Sequence, residues 1–146
     1  MKVLRVLRNG TRNQSTADYS RYNVFVFGNR YYDTTVINKD AVDIVMEEGI
    51  LVKRDSADPT RVEPIILTAD LSKVIGITAT RGEVTMAQND TLAINYAHSG
   101  DIDGSLLRLP EASTLNTMVG DETLKDLLTS RGFHILEVTE NSKFDN

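Results

Sequence analysis

The stretch of this chain most suggestive of chemistry is His98-Ser99-Gly100-Asp101-Ile102-Asp103-Gly104. Two carboxylates two residues apart, followed by a glycine, resemble the opening of a calcium loop, in which oxygen ligands surround a hard cation. The carboxylate series does not continue, because Ser105 follows Gly104 directly. A turn between two strands is therefore the expected structure, and no metal is assigned. Ser99 beside His98 does not make a hydrolase, since the chain has no Gly-x-Ser-x-Gly string to place a serine on a sharp strand-to-helix turn. The glycine-rich strings that cradle phosphates are equally absent. His134, the only other histidine, is expected in a final strand as a satisfied core or edge residue. Glu47-Glu48 and Asp121-Glu122 are adjacent rather than convergent, and a turn and a helix start explain them. With no cysteine, thiolate chemistry, disulfides and cysteine-held metals are excluded. No catalytic residue, metal ligand or cofactor follows, so the chain is not expected to be an enzyme and its function is expected to reside in its surfaces.

The charge distribution points the same way. Residues 1–30 carry Lys2, Arg5, Arg8, Arg12, Arg21 and Arg30 against the single acid Asp18, whereas the remainder is acidic enough to bring the whole chain to −5. A basic arm on an acidic body suits an acidic protein surface, including that of a neighbouring copy. Nucleic acid is the weaker expectation, because the acidic body repels phosphate. No apolar run approaches the roughly 18 residues of a bilayer span, so no membrane partner is expected. The arginines within Met1–Arg8 interrupt the apolar residues too often for a secretory signal, which leaves synthesis in the cytosol as the expectation.

The elements that must carry these surfaces are mostly short strands. Hydrophobic residues make up 40% and charged residues 25% of the chain, a globular composition. Residues 9–23 hold almost no aliphatic side chain and are expected to be loop-like or extended until they meet a partner. Val24–Phe27, Gly28-Asn29 and Arg30–Tyr32 predict a hairpin with glycine at the turn, its aromatic side chains expected mainly in the core. Further strands are predicted at Val42–Met46, Ile50–Lys53, Pro64–Thr68, Val74–Thr78, Glu83–Met86 and Thr91–Tyr96, with a surface turn at Asp55–Thr60. Gly76 inside its strand predicts a bulge or a close backbone approach. Thr114–Val119 suggests a short turn of helix. A clearer helix is signalled by Asp121 as cap, Leu124, Leu127 and Leu128 on one face, and Gly132 at the end. Phe133–Val138 returns as a strand, and Thr139–Asn146 is expected to fray. The fold class is thus mainly β, a small sandwich or barrel with one short C-terminal helix, divided into a basic arm (1–35) and a β-rich domain (36–146).

Four segments carry a resemblance to a known family: Met46–Lys53, Asp70–Ile77, Leu92–Asp103, and Leu107-Arg108-Leu109-Pro110 with Leu124–Phe133. Their order of strands and turns from about Val36 to Val138 resembles the lambda-D-like decoration (cement) proteins of tailed-bacteriophage heads. The resemblance implies a β-tulip-like fold, no cofactor, and a structural role on the outer surface of the expanded capsid. It implies a homotrimer at three-fold positions, with the major capsid protein as partner, clamping the shell against internal pressure. It also implies an N-terminal segment that adds to strands of the shell protein. On that implication Val3, Leu4, Val6 and Leu7 supply apolar contacts, and Arg5, Arg8 and Arg12 pair with shell carboxylates. The front of the chain departs from the family in being longer and more basic. Alternatives are another virion β domain, such as a head-fibre base or tail-associated protein, and a small ligand-binding β module; an aromatic content of 6% with no tryptophan argues against sugar stacking in the latter.

Overall fold

A computed structural model describes residues 23–136. Within them the chain is mainly β, with ten strands and one short α-helix. The strands are β1 (Phe25–Ile37), β2 (Ile44–Met46), β3 (Leu51–Arg54), β4 (Arg61–Pro64), β5 (Val74–Thr78), β6 (Val84–Met86), β7 (Thr91–Asp103), β8 (Met118–Val119), β9 (Glu122–Thr123) and β10 (Phe133–Leu136). The helix, α1, spans Leu124–Ser130, and a 3-10 segment covers Thr68–Lys73.

Five strands close into a small barrel in the order β1-β4-β3-β5-β7, with β7 returning to β1. The parallel β1–β4 pair is brief, joining only Thr35 to Arg61 and Val36 to Val62. The β1–β7 pair is antiparallel and long, running from Phe25 opposite Ile102 to Ile37 opposite Thr91. On its other edge β7 holds β5 at Tyr96–Ala97 and then β10, in parallel, at Gly100–Asp103. A separate ribbon, β2 with β6, lays Met46 and Met86 over one end of the barrel.

Alternation along these strands sorts side chains into two apolar clusters. One gathers Leu51, Leu71, Ile77, Ile102 and Phe133 with Leu124, Leu127 and Leu128 of α1. The other gathers Val36, Val52, Val62, Ile94 and Tyr96 beneath the methionine pair. Buried polar groups are satisfied locally. Asn38 donates to the carbonyls of Val42 (3.1 Å) and Met86 (2.9 Å). Thr78 Oγ1 donates to Glu47 O (2.6 Å) and accepts from Ile50 N (2.9 Å), tying the β2–β3 turn to β5.

Several expectations hold in place and others shift. The strands at 51–54, 74–78 and 84–86 and the turn at 55–60 form as the pattern requires. Gly76 meets both halves of its prediction. The β3–β5 register slips between Val52 and Lys53, and a Cβ on Gly76 would lie 2.3 Å from the Tyr96 ring and 2.5 Å from Ala97 O. The helix buries the three expected leucines, but its cap is Thr123, whose side chain accepts from Asp126 N, rather than Asp121.

Four readings are corrected. Pro64–Thr68 is not a strand; the strand lies earlier, at Arg61–Pro64, and the chain then turns into the 3-10 segment. Thr114–Val119 forms turns and then β8 instead of helix, because Thr117 Oγ1 takes the Thr114 N–H at 2.8 Å and ties the chain into a local turn. His98–Gly104 is not a turn between strands, since β7 runs straight through to Asp103 with partners on both edges. Finally, no hairpin forms at 24–32. Gly28, at φ 71°, serves a bulge: β1 continues through it, and its register against β7 slips between Phe25 and Tyr31. Residues 24–37 therefore belong to the barrel and cross the expected arm–domain boundary at residue 36.

Candidate interaction surface

The arm residues expected to engage a capsid, Val3, Leu4, Arg5, Val6, Leu7, Arg8 and Arg12, lie outside the described residues, as does the C-terminal stretch after Leu136. What the structure does place is the strand into which the arm leads. Asn23 Oδ1 accepts the Phe25 N–H at 3.2 Å, and Glu48 Oε2 accepts the Val24 N–H at 3.2 Å. Val24 O accepts from Asp103 N at 2.7 Å, so the start of β1 is pinned on two sides.

Beyond that anchor, β1 is paired on one side only. Its β4 partner begins at Thr35, so from Phe25 to Asp33 it is bonded to β7 alone among the described residues. The bulge is held by Asn29, whose amide nitrogen donates to Asp101 O (3.1 Å) and Ser99 O (3.4 Å). Gly100 is the complementary residue on β7. Its φ of 117° and its contact with Asn29, at 2.5 Å from where a Cβ would stand, leave room for glycine alone.

Large apolar side chains are exposed along this single-sided stretch: Val26 (44%), Phe27 (75%), Tyr31 (45%) and Tyr32 (56%). They emerge on both faces. Tyr31 packs edge-to-face on Phe25, whereas Tyr32 stacks on His98 with ring centroids 4.2 Å apart and meets Tyr96 edge-on. Burial, and then the charge of Glu48, raise the Tyr31 phenol above its usual range. The expectation that these aromatics enter the core is corrected: Phe25 does, and the other three ring residues of β1 do not. A one-sided strand lined with aromatic groups is the geometry that accepts another strand, backbone hydrogen bonds joining the chains and side chains on either face choosing the partner.

The candidates for chemistry disperse. Asp101 is partly exposed beside His134 Nδ1 (3.4 Å), while Asp103 is buried and turns to accept Ser105 N and Oγ. These two carboxylates therefore do not face a common ion. Glu47 and Glu48 are drawn apart by Arg108 (3.2 Å) and Arg81 (3.7 Å). Among the described residues no group of three or more histidine or carboxylate side chains is arranged to hold a metal. The one-sided edge was masked in the sequence by Gly28-Asn29, which looks like a turn; the polar run before it, which ends where the edge begins, was the available signal. Comparison of the chain with protein-family models and with curated proteins finds no match, so the functional reading rests on this surface and on the residues that build it.

Proposed function

We propose that this chain is a structural virion protein that coats the outer surface of an expanded tailed-phage head as a homotrimer and stabilises the shell. The observation that carries the reading is the one-sided β1 edge with its exposed aromatics, placed where the basic arm joins the barrel. A barrel whose edge has no partner among the described residues, with a chain extension beside it, is suited to join protein chains, and weak joints multiplied over an oligomer give firm attachment. The resemblance to lambda-D-like decoration proteins supplies the setting. Non-enzymatic action, a major-capsid-protein partner and location on the virion exterior belong to the same proposal.

The deciding measurement is copy number in purified virions, by quantitative mass spectrometry against the major shell protein. A ratio approaching one-to-one is the expected result. A handful of copies per particle would move the protein to a vertex, fibre or tail, and absence from the particle would remove the virion role.

A further inference from the structure

Among the described residues no strand pairs with the outer edge of β1 over residues 25–33, and the chain carries a segment suited to fill it. We infer that this edge receives Val3–Arg8 of a second copy, so that neighbouring copies are linked by exchanged arms. The inference rests on the oligomeric reading above and changes what the arm holds: a sister copy, where the family resemblance implies the shell.

The fit is first one of faces. Tyr31 and Tyr32 are successive residues on opposite sides of β1, and both are exposed, so an added strand must be apolar on both sides to cover them. An ordinary half-buried strand is apolar on one side only. In extended form Val3, Arg5 and Leu7 share one side, and Leu4, Val6 and Arg8 the other. Each side thus offers two aliphatic groups and one guanidinium.

Charge agrees. Lys2, Arg5, Arg8 and Arg12 have no acid among them in residues 1–12. On the accepting side Asp33 is exposed at the end of the edge, and Glu48 stands at its start, against Val24 and near Tyr31. Arg30 on the same strand and Arg81, 3.7 Å from Glu48, oppose this attraction.

Length puts a neighbour's β1 within reach. A strand that folds back on its successor ordinarily does so through a loop of about two to five residues. Residues 9–22, between Arg8 and the anchored Asn23, are a much longer polar stretch, whose extended reach is about 46 Å at ~3.3 Å per residue. A body of this size is roughly 35 Å across, judged from a radius of gyration of about 13 Å. The spacer is therefore long enough to cross to an adjacent body.

Because the chain contains no cysteine, the arrangement is testable by single-site crosslinking. Two differently tagged copies are co-expressed, one carrying Val6→Cys and the other Tyr32→Cys, and treated with a short bis-maleimide. Val26→Cys replaces Tyr32→Cys in a parallel pair in case loss of the Tyr32 stack disturbs folding. Met118→Cys, exposed at 59% on β8, is the control acceptor. The expected result is a covalent dimer containing both tags, at least tenfold more abundant with either β1 acceptor than with Met118→Cys. Equal capture at Met118, or no mixed dimer, would overturn the inference. So would a Val6→Cys/Tyr32→Cys double variant that crosslinks only within one chain, since the arm would then return to its own edge. The assay uses purified protein, so its failure is distinct from a failure of the copy-number measurement.

Discussion

Asp55 is the most constrained ionisable residue in the described chain. It is fully buried at the corner where β3 ends, and it accepts from Lys39 Nζ, from Arg61 Nε at 2.8 Å and from Ala57 N at 3.0 Å. These bonds, led by that of Lys39, outweigh its desolvation and hold its carboxyl far below the usual range; Lys53 does the same less strongly for Asp70, at 2.9 Å. Depressed folded values mean that the unfolded chain binds more protons in acid. The stability that these carboxylates contribute is present above the unfolded value of about 3.9 and lost as pH falls through the folded one. Asp55→Asn is expected to cost about 2 kcal/mol at neutral pH, the scale of a lost charge-assisted hydrogen bond. It is also expected to flatten the decline in stability below about pH 4. Urea unfolding midpoints measured between pH 7 and pH 3 check both.

At the scale of elements the decisive strand is β7, whose thirteen residues touch β1, β5 and β10 in turn. Its crossing with β5 depends on Gly76, where a methyl group would collide with Tyr96 and with the Ala97 carbonyl. Gly76→Ala is therefore expected to destabilise the barrel by about 3 kcal/mol, because backbone cannot move aside as a side-chain end would. Thermal unfolding of the variant measures this. The same strand explains what the sequence displayed and what it hid. Gly76 was legible because a glycine between Ile75 and Ile77 has few reasons to be there. The leucine face of α1 was legible because Leu124, Leu127 and Leu128 are brought together by helical spacing alone. Gly28-Asn29 was misread because a hairpin turn and a bulge make the same local demand, a positive φ, and only a distant partner decides between them. His98–Gly104 was misread for the same reason. Its polar, glycine-bearing composition suits a turn, and β1 on one edge and β10 on the other keep it extended. The candidate surface was thus half legible: its aromatic content was visible, and its exposure was a property of pairing.

At the scale of the whole molecule, β1 is anchored from Asn23 onward and is paired with β7 and β4 through its own residues, so the described residues close the barrel among themselves. Deletion of residues 1–22 is expected to leave the melting temperature within a few degrees of the full chain and to abolish attachment to expanded heads, because copies no longer linked by their arms attach singly and weakly. Calorimetry and head co-sedimentation measure the two halves, and unchanged attachment would show that the arm is dispensable. Changing Arg5, Arg8 and Arg12 together to alanine separates charge from apolar contact. Its effect on attachment should be largest at low ionic strength and shrink towards 1 M salt, where screening shortens to about 3 Å. An effect independent of salt would assign the joint to Val3, Leu4, Val6 and Leu7 instead.

The pairing of β1 with β7 also sets a timetable for biosynthesis. β1 ends at Ile37 and β7 begins at Thr91, so ribosomal synthesis at about 5–20 residues per second separates them by roughly 3–10 s. Throughout that interval the aromatic strand has neither its long partner nor the barrel to rest on. Nascent copies made side by side on one message would then present the same sticky segment to each other at high local concentration. Polar, arginine-bearing sequence immediately upstream acts against premature association during that wait, which gives residues 9–23 a task in the newborn chain before they have any in the finished one.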